Sequence, residues 1–220
     1  MSSGIAIECW GDYACFTRPE LKAERYSYDI ITPSAARGIF EAIYWHPGIR
    51  YKIDSIELLS PIKFVSIKRR ELQKKINVTE KDYKQMKERD WSYYPVSNSD
   101  YVTLRNSTIL KDVHYVIRAH FNIRRTDDGE VSNPGKVLRI FSDRARKGAC
   151  YHRPYFGCRE FPVNFRLVEE GEATNPYPEN RFLGLMTYDM FNDDGNISPS
   201  YFRAELKNGI MDVSGCEVLS

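Results

Sequence analysis

The chain has only four histidines, and two of them, His114 and His120, fall in its most regular stretch. From Val113 to Arg124 one parity is apolar (Val113, Tyr115, Ile117, Ala119, Phe121, Ile123) and the other is His114, Val116, Arg118, His120, Asn122 and Arg124. Imidazoles titrate at about pH 6.5 and can take or give a proton, while arginines beside them can hold an anion. Strict alternation marks a strand with one buried and one open face, so the open face here is expected to be basic. Such faces are ordinarily just solvated. A third histidine, His152, stands between Tyr151 and Arg153 in a basic, aromatic loop, and Lys68-Arg69-Arg70 closes another apolar alternation. A cationic strand end is usually solvated too, but its side chains could grip phosphates without regard to sequence.

The elements that must carry these residues follow in order. Ile5 to Phe16 alternates as a first strand with Gly11 at a bend. Thr32-Pro33 supplies a cap and a first-turn proline, and Ala36, Ile39, Phe40 and Ile43 recur at helical spacing. That helix is expected to finish with the turn Ile43-Tyr44-Trp45-His46 before Pro47-Gly48. A long strand or bent hairpin spans Tyr51 to Leu72 and breaks at Pro61. The polar stretch from Thr79 to Trp91 predicts a short exposed helix within an insertion near residues 74–107. Thr126-Asp-Asp-Gly129 is a turn, and a second helix runs from Asn133-Pro134 to Lys147, with Val137, Ile140, Phe141 and Ala145 inward. Phe161 to Val168 closes the series as a strand.

The order strand, helix, strand, twice over, predicts an α+β fold: a ferredoxin-like (RRM-like) antiparallel sheet with helices on one face and the other face free to bind. This domain would occupy residues 1–168. Residues 169–220 read as a small β-rich extension, with strands at Phe182–Phe191, Tyr201–Leu206 and Ile210–Val213 and a turn at Lys207-Asn-Gly209.

The formal charge of +2 hides strong segregation. Residues 61–75 carry six Lys or Arg against one Glu, residues 136–159 carry seven against one Asp, and residues 169–195 carry seven acids against one Arg. That asymmetry suits a surface for a polyanion. Cys9, Cys15, Cys150, Cys158 and Cys216 form no CxxC pair and no zinc spacing. An odd cysteine count without a signal peptide points to the cytoplasm, and no run approaches the roughly 20 apolar residues of a membrane span. No Walker loop, GxGxxG or HExxH occurs, so neither a cofactor nor a bound metal is expected.

Four motifs in sequence carry a resemblance: Gly11-Asp-Tyr-Ala-Cys-Phe16, Ile43-Tyr-Trp-His-Pro47, Leu110-Lys-Asp-Val-His-Tyr115 and the run from Tyr151 to Phe161, with Leu183-Gly184 and Asn208-Gly209 beyond them. Together they resemble the type I-C CRISPR-associated protein of the Cas-five family, the subtype given the suffix d, over nearly the whole chain. The resemblance implies a RAMP-superfamily, ferredoxin-like protein that cleaves the repeat hairpin of precursor crRNA without metal. It further implies a subunit that stays in the interference complex, holding the 5′ handle among other type I-C subunits, with double-stranded DNA as a further candidate partner.

By the same resemblance the cleavage site is a tyrosine, a lysine and a histidine, which map onto Tyr44, Lys111 and His114. Lys111 and His114, three apart, share a strand face only if the chain bends near Asp112. His152 is the competing histidine. RNA brings its own nucleophile, the 2′-hydroxyl, so such a site need only align that oxygen, move its proton and stabilise charge. Lysine suits the charge, histidine the proton, and Tyr44 positioning or proton transfer. The expected products are a 2′,3′-cyclic phosphate and a 5′-hydroxyl. Lys68, Arg69, Arg70, Arg118, His120, His152 and Arg153 are the expected RNA contacts. Two other readings share the fold: a noncatalytic subunit capping crRNA, and an assembly subunit whose basic patches meet protein.

Overall fold

Strand β5 (Val102–Ile123) is the spine on which the other strands of the main sheet assemble. The computed structural model describes residues 4–21, 24–72, 80, 83–84, 102–125, 131–191 and 197–219. Of the helix expected from Thr79 to Trp91 only Glu80, Tyr83 and Lys84 are described, and they are helical and exposed; the turn at 126–129 falls outside the described residues. β1 (Ile5–Ala14) runs antiparallel along one edge of β5, Ile5 opposite Ala119 and Ala14 opposite Leu110. β3 (Ile49–Leu58) lies along the other edge from Ile123 to Tyr115. β4 (Phe64–Leu72) continues that edge past a break at residues 59–63 and pairs with Leu110 back to Val102. The expected break at Pro61 is therefore where one long partner strand is interrupted, and β5 begins at Val102, inside the stretch read as insertion. β2 (Arg25–Tyr26) adds a short parallel bridge.

Two helices cover one face. α1 (Pro33–Ile43) is opened by the Thr32 hydroxyl, which accepts from the Ala35 N–H at 3.3 Å. α2 (Pro134–Arg146) is opened by Asn133, whose side-chain oxygen accepts from the Gly135 and Lys136 N–H groups. Each buries a stripe at helical spacing: Ala36, Ile39, Phe40 and Ile43 in α1, and Val137, Phe141 and Ala145 in α2, while Ile140 is only half-buried. Phe40 stacks on Phe141 with ring centres 5.4 Å apart, and both rings meet Tyr51 of β3. The buried parity of β5, from Val113 to Phe121, lies beneath them. α1 ends at Ile43, one turn earlier than the spacing suggested, because Tyr44 adopts extended backbone.

β6 (Asn164–Leu167) pairs with β1, so the four strands of the two strand-helix-strand units stand in the order β6-β1-β5-β3. Gly11 lies inside continuous β1, and glycine fits there because residues 156–162 cross closely: a Cβ would sit 3.0 Å from the Pro162 carbonyl oxygen and 3.2 Å from the Phe156 ring. Downstream, β7 (Arg181–Phe191) and β8 (Ile197–Leu206) form a separate hairpin packed on α1. β9 (Ile210–Asp212) returns to the main sheet beside β3, after a turn in which Asn208 and Gly209 both take positive φ. Leu183, Met186, Phe202 and Met211 belong to the same buried cluster as Ile7, Phe40 and Ile117.

Candidate active site

Tyr44 leaves α1 as its C-cap. Its N–H donates to the Phe40 carbonyl at 3.0 Å, and its own carbonyl accepts from the Tyr51 hydroxyl at 2.8 Å. Burial pushes the Tyr51 phenol well up, so that hydroxyl stays a donor. Arg144, in the last turn of α2, donates to the Ile43 carbonyl at 2.9 Å and lies 5.3 Å from the centre of the Tyr44 ring. It thereby satisfies a carbonyl left open at the end of α1 and sets a cation against the tyrosine face. Two residues on, the Nδ1 of His46 accepts from the Gly48 N–H at 3.2 Å, with the Ser132 hydroxyl at 3.4 Å. Nδ1 as acceptor leaves Nε2 carrying the proton in the neutral ring. His46 is the residue the sequence reading passed over. The available signal was its position two residues after Tyr44, outside any helix once Pro47 is allowed to end the element early.

Lys111 and His114 flank a kink of the expected kind. Asp112 takes φ +54, and the five residues Leu59–Lys63 bulge opposite Lys111–His114. The bulge is pinned by Leu59 N–H to the His114 carbonyl (2.9 Å), Lys111 N–H to the Lys63 carbonyl (2.9 Å) and the Ser60 hydroxyl to the Asp112 carbonyl (2.8 Å). His114 Nε2 lies 2.7 Å from a Glu8 carboxylate oxygen, its ring is edge-on to Trp10, and Glu8 is also held by Arg166. The cleft there, about 340 Å³, is lined by Glu8, Asp12 and Asp112 as well as Trp10, Ser60 and His114.

The structure thus places Lys111 and His114 on either side of the Asp112 kink and leaves Tyr44 elsewhere. The carbonyl of Tyr44 is held by Tyr51, which pairs with Phe121, seven residues along β5 from His114. At about 3.3 Å per residue that is roughly 23 Å, and α1 lies on the covered face while His114 is on the open one.

The open face is also less basic than its sequence. Arg118 donates to Glu57 at 2.6 Å and His120 is 2.6 Å from Asp54, both carboxylates coming from the adjacent strand β3. Alternation divides the Lys68-Arg69-Arg70 run. Lys68 and Arg70 are exposed with Phe64 and Leu72, whereas Arg69 turns to the other side, pairs with Glu160 and covers the Phe161 ring. His152 and Arg153 are exposed; His152 stacks on Tyr155, and Arg153 donates to Asn164. Their loop is tied to α1 by the Tyr151 N–H, which donates to the Ala42 carbonyl at 2.8 Å. His152 therefore neighbours the end of α1 that carries Tyr44.

Fold and site together define an α+β protein with an antiparallel sheet, both helices on one face, and cations and exposed aromatics gathered where the 151–161 loop meets α1. The family model described as CRISPR-associated protein (Cas_Cas5), in its Cas5d form, matches residues 4–214, and the chain belongs to that family. It is 44% identical over 219 residues to the CRISPR pre-crRNA endoribonuclease Cas5d of Mannheimia succiniciproducens, covering 97% of this chain and 96% of the relative. It is 32% identical to the protein of the same name from Thermus thermophilus, covering 95% of this chain and 90% of that one. A solved structure titled as a CRISPR-associated protein superposes with a TM-score of 0.68 at 22% identity, covering 100% of this chain and 97% of the other. No helix among the described residues is long and apolar enough to cross a membrane.

Proposed function

We propose that this chain is a pre-crRNA endoribonuclease that cuts the CRISPR repeat hairpin and then remains on the 5′ handle as a subunit of the type I-C interference complex. The observation that carries the reading is the 44% identity, across nearly its whole length, to a curated protein named for that activity. The β6-β1-β5-β3 order with two strand-helix-strand units supports a ferredoxin-like, RRM-like domain as the platform. The cut needs no metal, since the RNA 2′-hydroxyl attacks the adjacent phosphorus and leaves a 2′,3′-cyclic phosphate and a 5′-hydroxyl. Action in the cytoplasm, partner subunits and contact with double-stranded DNA belong to the same reading.

Electrostatics favour the Tyr44 end for the chemistry. A phosphodiester brought there meets Arg144 and the imidazole of His46, whereas the cleft at His114 sets Asp12 against it beside Glu8 and Asp112, whose charges are paired with Arg166 and Lys63. In this reading Tyr44 positions the ribose hydroxyl and relays its proton, while the Nε2–H of His46 and the guanidinium of Arg144 face the developing charge. A second reading keeps the cut at Lys111 and His114, and the 2.7 Å bond that the Glu8 carboxylate accepts from His114 favours it, because a carboxylate on one ring nitrogen orients an imidazole for proton transfer. The test is cleavage of a repeat hairpin in EDTA with analysis of both ends, beside the same RNA carrying a single 2′-deoxy nucleotide at the cut. Cyclic phosphate ends and loss of cleavage in the deoxy substrate are expected. Cleavage of the deoxy substrate would overturn the reading.

A further inference from the structure

We propose that the groove on the outer side of α1 binds unpaired RNA nucleotides, stacking their bases on Trp45 and on the aromatic set Tyr151, His152 and Tyr155. This rests on the reading of the chain as an RNA-cutting protein and extends it to a site for the single strand that flanks the hairpin. The groove measures about 640 Å³. Its floor is made by the small residues Ser34, Ala35 and Gly38 of α1, and nothing lies within 4 Å of where a Gly38 Cβ would be. One wall is aromatic and open: Tyr151 is 86% exposed, Trp45 is 58% exposed, and His152 stacks on Tyr155 at 6.5 Å. Large planar side chains left uncovered in this way supply faces for bases, whose stacking tolerates any sequence.

The wall is held in place before anything binds. Tyr151 is fixed to Ala42 at one end of the loop, and Phe156 is fully buried, its N–H donating to the Phe161 carbonyl at 2.8 Å. Gly157 takes φ +77, and its α-carbon is so close to Cys15 that a Cβ would fall 2.0 Å from the Cys15 carbonyl oxygen; the Cys158 thiol donates to that same carbonyl at 3.8 Å. An aromatic surface on an anchored loop loses little entropy on stacking. The arginine of the lining, Arg37, is paired with Asp189 and with Glu41 at 3.3 Å. Burial pushes the Glu41 carboxyl above its ordinary range, against the pull of Arg37. With its cation paired, the groove suits bases more than phosphates, and its contribution to binding should depend little on salt. It is also continuous with the proposed cut, because Trp45 stands between Tyr44 and His46.

The experiment measures binding of full-length protein to two labelled RNAs, a short unstructured oligoadenylate and a repeat hairpin with no single-stranded flanks. Tyr151→Ala combined with His152→Ala should weaken oligoadenylate binding about tenfold or more, the worth of one lost stacking contact. Hairpin binding should be unchanged, and Tyr151→Trp should retain the wild-type affinity. A melting curve matching wild type certifies the double variant as folded. Unchanged oligoadenylate binding in the folded double variant overturns the proposal. So does failure of the wild-type protein to bind the oligonucleotide while it still cleaves the repeat, which would leave the groove to a protein partner. Absence of both repeat cleavage and hairpin binding in wild type would instead sink the RNA-processing reading itself.

Discussion

Four histidines divide by what already holds them. His114 is bonded to Glu8 and His120 to Asp54, both on the open face; His152 stands exposed against Tyr155; His46 offers Nε2 beside Tyr44 while its Nδ1 is occupied. In single-turnover cleavage with saturating protein, His46→Ala should slow the cut by about a hundredfold or more, the usual worth of a positioned donor to developing charge. His114→Ala should leave the rate near wild type, and His152→Ala should act on binding of flanked RNA instead. A collapse of the rate in His114→Ala with His46→Ala intact would move the site to the Asp112 kink. Tyr44→Phe should lower the rate constant with little change in affinity, because affinity is spread over many phosphate contacts while the phenol acts at one. The kink itself was legible in the sequence: a lysine and a histidine three apart share a strand face only if the chain turns between them, and Asp112 does so. What spacing could not reveal was the roughly 23 Å along β5 between that kink and Tyr51, because alternation tells which face a residue takes and nothing of its height on the strand.

The β4 strand and the first half of β5 form an antiparallel arm, bridged at Ser107 and Thr108 by β2, and its alternation decides what each cation can do. Lys68 and Arg70 face solvent on one side with Phe64, whose ring lies 5.8 Å from Tyr26. Arg69 bonds Glu160 on the other, holding that carboxyl below its ordinary range and clamping the arm to the 151–161 loop. Replacing Lys68 and Arg70 together by Ala should weaken RNA binding and flatten the plot of log affinity against log salt by about two counterions. Arg69→Ala should leave that slope alone. An equal loss of slope in both variants would show that Arg69 also reaches phosphate. The Glu160 carboxyl is lowered on folding, so its ion pair stabilises the protein above the ordinary carboxylate range near pH 4.5 and is lost as pH falls through the lowered folded value. The run Lys68-Arg69-Arg70 reads as one patch only if the strand period is ignored; applying it would have set Arg69 apart.

At the scale of the molecule, one core joins parts that the sequence separates. Composition changes sharply after residue 168, where the acidic stretch begins, and the eye divides the chain there. Yet β9 comes back to pair with β3, the β7–β8 hairpin covers α1, and the Tyr28 hydroxyl meets the Thr187 hydroxyl at 3.2 Å across that junction. Charge composition reports on surfaces, and nothing in it records that Met186, Phe202 and Met211 bury against the same interior as Phe40. The point where both helices and the sheet meet is the trio Phe40, Tyr51 and Phe141. Phe141→Ala removes a fully buried ring from it, a change that costs about 3–5 kcal/mol in such cores. At about 2–4 °C per kcal/mol for a chain of this size, the melting temperature should fall by roughly 6–20 °C. Because α1 carries the C-terminal hairpin on its other side, the loss should appear throughout: one cooperative transition, shifted as a whole, with amide hydrogen exchange in β7 and β8 accelerating alongside that in β5. A second transition left at the wild-type temperature, with β7 and β8 still protected, would show instead that residues 169–220 fold apart from the sheet.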